Sequence, residues 1–333
     1  MKRAAVLSFS DRGADTARRV KDALGGAWET ELFAPRGDLK EKTAALFPTV
    51  DALIFVGACG IAVRAVAPHV VSKTSDPAVL VLDERGRFVI SLLSGHIGGG
   101  NALTETLAAA LSAVPVVTTA TDVNGRFSVD AWAARQGLLI ESMETAKRYS
   151  AAVLMEDLPF VSDLPIVGSP PPGTFPGESG ALGFAVTARD IRPFAETLRL
   201  IPPVLHVGIG CKRGTPAERI RAAVEEAFRE SGLLFPAVTA LASIDVKADE
   251  TGLLAFARET GREIRFFTAD QLRNAPGEFS ASAFVANAVG VDNVCERAAV
   301  LSAGDGAELL VRKIGRNGVT VAVAREKRRI CFE

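Results

Sequence analysis

Short apolar runs that end in a glycine or a polar turn, each followed by a helical pattern, constrain the fold of this chain most strongly. Residues 4–9 form such a run, and a helix-like stretch follows over residues 15–24. Residues 53–56 form another, which ends at Gly57 and precedes apolar residues at helical spacing from Ile61. This alternation indicates parallel α/β architecture. The sequence predicts an α/β fold: two α/β domains with mainly parallel sheets, plus a small middle domain or insertion.

Two segments depart from this alternation. Residues 78–82 and 88–93 are apolar and flank a five-residue turn, which predicts a β-hairpin and some antiparallel pairing in the first sheet. Six of the seventeen prolines lie within residues 159–176, so we expect that stretch to be mostly extended loop. Strand-like pieces at residues 152–155 and 183–187 flank it.

Strand–helix alternation returns after a linker-like Pro202-Pro203. A strand is predicted over residues 204–210 and a helix over 216–230, with Thr215 as the N-cap and Glu218 completing a capping box. A closing hairpin is predicted near the end of the chain. The predicted domains are an N-terminal α/β domain (1–125), a small middle domain with the proline-rich loop (126–200) and a C-terminal α/β domain (201–333).

Charge and composition exclude several classes of protein. The 333 residues carry a formal net charge of -1, so no overall basic field points to nucleic acid. No uninterrupted apolar stretch is long enough to predict a membrane span. The four cysteines form no CxxC pair, and the three histidines lie far apart, unlike the spacing of most metal sites. We therefore expect a reduced, cytoplasmic protein that has no partner in nucleic acid or membrane.

The segment SGHIGGGN, residues 94–101, carries the strongest chemical signal. Its three consecutive glycines allow close backbone approach to a ligand, and the following helix adds partial positive charge at its N-terminus. Such a loop suits a carboxylate or a developing oxyanion. His96 could act there as a general base, or it could only hold the loop through hydrogen bonds. A tight turn without a ligand is the alternative for the whole segment.

Three further loops contain candidate binding residues. GACGIAVR, residues 57–64, contains Cys59, for which small-residue packing is favoured over a nucleophilic role, and Arg64, which could bind a carboxylate or be a solvated charge. GIGCKRGT, residues 208–215, places two cations at a predicted helix start, where an anionic partner or a plain basic turn would explain them. SIDVKADE, residues 243–250, offers Lys247 for an acid and Glu250 as an acid/base or as a helix-start carboxylate.

These motifs resemble the cobalt-precorrin 5A hydrolase family, the CbiG-type cobalamin biosynthesis proteins. GACGIAVRAVAPHVVSKTSDPAV, SLLSGHIGGGNALT and VTTATDVNG resemble the N-terminal domain of that family. VGIGCKRGTPAERI, LASIDVKADETGLLAFARE, SASAFVANAVGVDNVCERAA and the closing hairpin resemble its C-terminal domain, which is also similar to a stand-alone protein of the aerobic pathway. Several separated motifs agree in order, so the resemblance covers most of the chain.

The resemblance implies an activity. Water opens the ring-A δ-lactone of cobalt-precorrin 5A, and the two-carbon bridge leaves as acetaldehyde to give cobalt-precorrin 5B. It implies a cobalt-corrinoid intermediate as the small-molecule substrate, no cofactor of the protein's own because the substrate carries the cobalt, and other cobalamin-pathway enzymes as partners. The oligomeric state stays open, with a homodimer as one candidate. A corrinoid carrier without catalysis is the alternative function, because it would use the same loops.

Together, the motifs and the resemblance predict two groups of site residues. The predicted catalytic residues are His96 and Glu250. The predicted substrate-binding residues are Gly57, Cys59, Gly60, Arg64, Ser94, Gly95, Gly98, Gly99, Gly100, Asn101, Gly210, Cys211, Lys212, Arg213, Gly214 and Lys247.

Overall fold

A computed structural model describes residues 1–72, 75–280 and 291–332 of the chain. The chain forms two compact units, Met1–Ala134 with Ser150–Glu156, and Arg135–Tyr149 with Asp157–Glu333. Each unit contains helices and mostly parallel sheets, which confirms the predicted α/β fold class. The three predicted domains, with their two boundaries, stay predictions.

The first unit is built on a six-stranded sheet of order β2-β1-β3-β4-β5-β6. Strands β1 to β4 are parallel, whereas β5 is antiparallel to β4 and β6 is parallel to β5. The predicted hairpin over residues 78–93 is thereby confirmed. The strands are β1 (Lys2–Ser8), β2 (Trp28–Phe33), β3 (Ala52–Val56), β4 (Ala78–Leu82), β5 (Phe88–Leu93) and β6 (Val114–Val116).

Helices cover both faces of this sheet, because its central strands are apolar at every position. Alternate residues of a strand point to opposite faces. Val6 accordingly joins the core that packs against the first and fourth helices, and Leu7 joins the core under the second and third. The helices are α1 (Asp11–Leu24), α2 (Leu39–Leu46), α3 (Cys59–Val66), α4 (Gly100–Leu111), α5 (Ala120–Val123) and α6 (Val129–Arg135), and short 3₁₀ turns follow α1 and α3.

The proline-rich middle of the chain is more ordered than predicted. It contributes to a five-stranded sheet of order β10-β8-β11-β12-β7, in which only β7 is antiparallel to its neighbour. Prolines are tolerated there because the strands are short and β10 lies at the sheet edge. The elements are β7 (Leu139–Ile140), α7 (Met143–Ala152), β8 (Leu158–Ser162), β9 (Ile166–Val167), β10 (Thr174–Pro176), β11 (Leu182–Val186) and β12 (Glu196–Ile201).

The predicted strand at residues 152–155 is wrong. Helix α7 ends at Ala152, and a turn follows it. Arg126 donates from Nε to the carbonyl of Val153 at 2.5 Å and from Nη2 to the carbonyl of Glu156 at 2.8 Å. These bonds satisfy carbonyls beyond the end of the helix, so this short apolar stretch needs no strand partner. A contact with a residue distant in sequence decided its conformation.

The third sheet has the order β15-β14-β13-β17-β16, with β13, β14 and β15 parallel and β17 antiparallel to both β13 and β16. The predicted closing hairpin is confirmed. The C-terminal β18 pairs with β9 of the proline-rich segment. The elements are β13 (Leu205–Cys211), α8 (Ala217–Ser231), β14 (Val238–Ile244), α9 (Thr251–Thr260), β15 (Glu263–Phe267), α10 (Ala269–Arg273), α11 (Cys295–Ala303), β16 (Glu308–Arg316), β17 (Val319–Arg325) and β18 (Ile330–Cys331), with 3₁₀ turns before β14 and before α9.

The predicted capping box at the start of α8 is wrong. The helix begins at Ala217 with Pro216 in the N-cap position and no side-chain cap. The Thr215 hydroxyl instead donates to the carbonyl of Lys212 at 2.7 Å, so it closes the preceding loop. Half of the family-like segment 280–299 also lies outside the described residues, because residues 281–290 are not described.

Strand β13 and helix α11 approach each other closely at Gly208. A Cβ atom at this position would collide with the backbone carbonyl of Cys295. Backbone atoms of a packed helix cannot move aside without opening the core. We therefore expect Gly208→Ala to lower the free energy of unfolding by about 1–3 kcal/mol, as overpacking of a core typically does.

The measurement is the urea unfolding midpoint, with Gly315→Ala as the matched control on the same sheet. Gly315 is exposed on β16, and its added methyl would meet only an ordinary contact at 3.6 Å from Thr320. An unfolding midpoint of Gly208→Ala equal to that of the control would show that α11 does not constrain this position.

Candidate functional site

The direction of β5 places the glycine loop of residues 94–100. Because β5 is antiparallel to β4, its last residue Leu93 pairs with Val79 at the beginning of β4. The loop therefore lies at the amino edge of the parallel strands. Strand β6 runs parallel to β5, so residues 117–122 after β6 reach the same edge. These two segments form the candidate site of the first unit.

The glycine loop folds tightly on itself. Ser94 adopts a left-handed backbone conformation with φ +55°, and Gly99 does so with φ +78°. A Cβ on Gly98 would come within 2.6 Å of the Ser94 Cβ, so only glycine fits there. The N–H groups of Gly99, Gly100 and Asn101 donate to carbonyls of the same loop at 2.8–3.1 Å. These three N–H groups are therefore not available to a ligand. The N–H groups of residues 96–98, in contrast, have no acceptor among the described residues.

His96 lies between two carboxylates. Its Nε2 is 2.8 Å from Oδ2 of Asp122, and its Nδ1 is 3.1 Å from Oδ1 of Asp130. The Asp130 side chain is 4% exposed and the His96 side chain 15%, whereas that of Asp122 is 33% exposed. Asp122 is therefore the member of this array that solvent and a ligand can reach.

The two carboxylates control the charge of His96. Burial alone would lower the pKa of the imidazole, but its hydrogen bonds to Asp130 and Asp122, with their negative charges, outweigh burial. The pKa of His96 is consequently raised above its usual 6.5. Below that pKa both ring nitrogens carry hydrogen and donate, one to each carboxylate. In that protonated form His96 is a positive charge with a hydrogen bond to each carboxylate.

Asp130 and Asn101 hold the array in place. Oδ1 of Asp130 accepts from the Ser128 hydroxyl and from the N–H of Ala131, both at 3.0 Å, in addition to His96. The Asn101 amide donates to Oδ2 of Asp122 at 3.1 Å. Oδ1 of Asp122 has no hydrogen-bond partner among the described residues. One carboxylate oxygen therefore remains able to accept a proton from water.

The sequence motifs did not reveal Asp122 and Asp130 as site residues. Asp122 belongs to the family-like segment VTTATDVNG, but no role was predicted for it. The one feature of the sequence that could have indicated Asp122 is its position shortly after a predicted strand, the strand that follows β5 in the chain. Once β5 and β6 are known to be parallel neighbours, an acidic residue after β6 is expected beside His96. No pattern in the sequence indicated Asp130.

The predicted binding residues of the GACGIAVR loop lie at the other edge of the same sheet. Gly57 follows β3, whose carboxyl end is opposite the edge that holds His96. Cys59 is an exposed free thiol, and Gly60 follows it in the first turn of α3. Arg64 is exposed and donates to the carbonyl of Gly60 at 3.0 Å, within its own helix. The structure therefore does not bring these four residues to His96.

The second unit gathers its predicted residues at the carboxyl edge of the third sheet. Both oxygens of Glu250 are occupied, one by the N–H of Gly214 at 2.7 Å and the other by Lys247 Nζ at 3.2 Å. Its side chain is 3% exposed. Glu250 thus joins the loop after β13 to the loop after β14, a contact that positions both. Its predicted catalytic role stays a prediction.

The remaining predicted residues surround this Glu250 contact. Arg213 pairs with Asp249 at 2.9 Å and donates to the carbonyl of Val246 at 3.0 Å. Burial raises the pKa of the Cys211 thiol, and the nearby Lys247 only partly opposes this shift. Gly210 packs against the Thr320 side chain of β17, and the backbone N–H of Lys212 donates to the carbonyl of Gly318. The substrate-binding role of this group stays a prediction.

The described residues give no sign of a metal site or of a membrane-spanning helix. The residues that the structure describes contain no group of three or more His, Cys, Asp or Glu side chains arranged to hold a metal ion. None of the helices in the described part of the chain has both the length and the apolar character needed to cross a membrane. His206 is buried and contacts Ser302 and Glu326, at 2.8 and 3.3 Å.

Comparison with known proteins identifies the family. Residues 41–122 match the model of the cobalamin synthesis G N-terminal region, and residues 205–324 match that of the cobalamin synthesis G C-terminus. A cobalt-precorrin-5A hydrolase of Priestia megaterium is 33% identical over 96% of this chain and 94% of its own length. One of Salmonella typhimurium is 38% identical over 83% of this chain and 82% of its own length. Protein CobE of Sinorhizobium is 34% identical over 36% of this chain and 79% of its own length. The chain therefore belongs to the cobalamin synthesis G family, which includes the cobalt-precorrin-5A hydrolases.

Proposed function

We propose that this chain hydrolyses the ring-A δ-lactone of cobalt-precorrin 5A and releases acetaldehyde, giving cobalt-precorrin 5B. Two relatives that match most of the chain carry the name cobalt-precorrin-5A hydrolase. The array of His96 between Asp122 and Asp130 is the observation that carries the chemistry, because it combines a proton donor with an accessible proton acceptor. The cobalt is part of the substrate, and the chemistry needs no further cofactor.

The first step is the opening of the lactone. The oxygen of water bonds to the lactone carbonyl carbon while a base takes its proton. Asp122 Oδ1 is positioned as that base, because it is exposed and unbonded within the described residues. The developing oxyanion accepts from the N–H groups of residues 96–98, and the positive charge of His96 stabilises it. Cleavage of the ring C–O bond then leaves a carboxylate and a secondary alcohol, whose oxygen receives a proton.

The second step breaks a carbon–carbon bond. Removal of the alcohol proton lets the C–O bond become a carbonyl while the adjacent C–C bond breaks, as in a retro-aldol reaction. The electron pair of that bond passes into the conjugated macrocycle, which then takes up a proton. Acetaldehyde leaves. Asp122 can serve as the base again once it has returned the first proton, so one array supports both steps.

The roles in this proposal differ from those predicted from the motifs. His96 was predicted as a candidate base or as a residue that holds the loop, but both of its ring nitrogens already contact carboxylates. The geometry therefore favours Asp122 as the base and His96 as its charged partner. Gly98 contributes an N–H group to the oxyanion in this proposal, and the substrate-binding roles of Ser94, Gly95, Gly99, Gly100 and Asn101 stay predictions. The oligomeric state, the pathway partners and the cytoplasmic location stay predictions.

Anaerobic incubation of the protein with cobalt-precorrin 5A tests the proposed activity. We expect acetaldehyde to appear in equimolar amount with the consumed substrate, because the lactone bridge is its only source. The control is the same mixture without protein. Corrinoid binding by the protein without acetaldehyde above that control would contradict the proposal and favour the carrier function.

Replacement of Asp122 tests the base. Asp122→Asn keeps the shape and one acceptor oxygen but cannot take a proton, so turnover should fall by about 100- to 10,000-fold, the usual effect of losing a general base. Corrinoid binding, followed by absorbance titration, should change much less. Asp22→Asn removes an exposed carboxylate from α1 of the same unit and serves as the matched control. Near-normal turnover in Asp122→Asn would exclude Asp122 as the base.

The pH dependence of turnover separates the two roles of His96. Because the pKa of His96 is raised above 6.5, the imidazole stays charged to a higher pH than a free histidine. If the charge is required, turnover falls as the pH rises through this raised pKa, and the decline disappears in His96→Asn, whose rate is low at every pH. A base would give the opposite slope. Turnover that rises with pH through the His96 titration, followed by NMR, would assign the base to His96.

A further inference from the structure

The first unit contains a cavity at the edge of the sheet opposite His96. It has a volume of about 480 Å³ and lies where β1 and β3 end and where the turn 83–87 joins β4 to β5. Small-molecule sites typically have volumes of about 300–1,000 Å³. Open α/β sheets commonly bind ligands outside the carboxyl ends of their parallel strands, which is this edge. The cavity therefore has the size and place of a ligand site.

The acidic side chains that line this cavity have hydrogen-bond partners, whereas two of the basic side chains do not. Asp83 accepts from the N–H of Arg87 at 2.6 Å and from its Nε at 3.1 Å, and Glu84 accepts from the Ser10 hydroxyl at 2.6 Å. Both acidic residues are thus engaged within the turn and its contact with α1. Arg12 and Arg85 also line the cavity, and neither forms an ion pair or a hydrogen bond with any described residue. The lining carries three arginines and two carboxylates, a net charge of +1, and Arg12 and Arg85 are the guanidinium groups in it that lack a direct partner among the described residues.

Backbone donors add to this positive field. Helix α3 begins at Cys59, and its N-cap residue Ala58, which lines the cavity, provides no side-chain cap. The N–H of Ile61 donates to the carbonyl of Ala58 at 2.9 Å, so the N–H groups of Cys59 and Gly60 are the ones left for an external acceptor. Phe9 and Ile61 supply an apolar wall. Gly57 has no room for a side chain, because a Cβ there would lie 2.8 Å from the Phe9 ring.

We propose that this cavity binds a small organic anion. The two guanidinium groups of Arg12 and Arg85 would hold its carboxylate or phosphate group, the chemistry that arginine recognises best. Its apolar body would lie against Phe9 and Ile61. The site is separate from the His96 array, because the five residues of β4 span roughly 17 Å between the two edges. The proposal does not depend on the hydrolase activity.

Isothermal titration calorimetry of the full chain tests this site with three probes. Benzoate and phenyl phosphate each join one anionic group to an aromatic ring, and benzyl alcohol has the ring without the charge. We expect the two anions to bind and benzyl alcohol to bind at least about tenfold more weakly, because a hydrogen bond to a charged group contributes about 1.5–3 kcal/mol. The tighter of the two anions identifies the group, carboxylate or phosphate, that the site prefers.

The matched variants locate the binding. The double variant Arg12→Ala/Arg85→Ala should weaken binding of the preferred anion by about tenfold or more. Arg18→Ala, on the same helix as Arg12 but paired with Asp15 and outside the cavity, should bind like the wild type. Thermal unfolding of both variants serves as the control for folding, and we expect both to fold because the replaced side chains are exposed. Equal affinity of the double variant and the wild type, or no heat from either anion at millimolar concentrations, would overturn the proposal.

Discussion

The antiparallel pairing of β5 with β4 is the constraint on which the candidate site depends. The turn 83–87 has only five residues, which allows a hairpin but is too short for the crossover that a parallel strand needs. Strand β5 must therefore return to the amino edge, and β6, which is parallel to β5, ends there as well. A crossover at this point would have placed His96 beside Gly57. The reversal places it beside Asp122 instead, and leaves the opposite edge to the cavity of the first unit.

Buried carboxylates fix the loops of both units by the same physical means. A charged group taken out of water is costly unless donors surround it. Asp130 obtains donors from Ser128, Ala131 and His96, and Glu250 obtains them from Gly214 and Lys247. Each carboxylate can be satisfied only if its loop keeps one conformation. Because any other loop conformation would leave a buried charge without donors, these carboxylates favour one loop conformation. Glycine-rich loops are otherwise free to adopt many conformations, so a site built on them depends on such contacts.

Local patterns in the sequence were sufficient for some parts of the fold. The continuous apolar runs around Val6 and Ile54 predicted buried strands, and the short polar turn after β4 predicted the hairpin correctly. Those features depend on neighbouring residues, so they can be read from the order of the chain. The error at residues 152–155 has the opposite origin, because Arg126, which lies 27 residues before Val153, stabilises the turn there.

The candidate site was predictable to the same limited extent. The glycine loop and His96 stood out through their composition, but a charge array is defined by contacts between distant residues. Asp130 lies on a short helix with no motif, and only the fold brings it to His96. The assignment of His96 as a base followed from the ordinary pKa of a free histidine. The structure supplies two carboxylates that raise this pKa, so the chemistry favoured for the residue changes from accepting a proton to donating one.

The net charge of the array supports the roles that we propose, with Asp122 as the proton acceptor and a protonated His96 as its partner. One imidazolium and two carboxylates carry one net negative charge, and a proton taken from water brings that charge to zero. Among the groups that raise the pKa of His96, the hydrogen bond to Asp130 contributes most, although the Asp130 side chain is only 4% exposed. Without Asp130, only Asp122 would oppose the effect of burial, and the pKa of His96 would be lower. The proposed array therefore needs Asp130 to favour the charged imidazole beside Asp122.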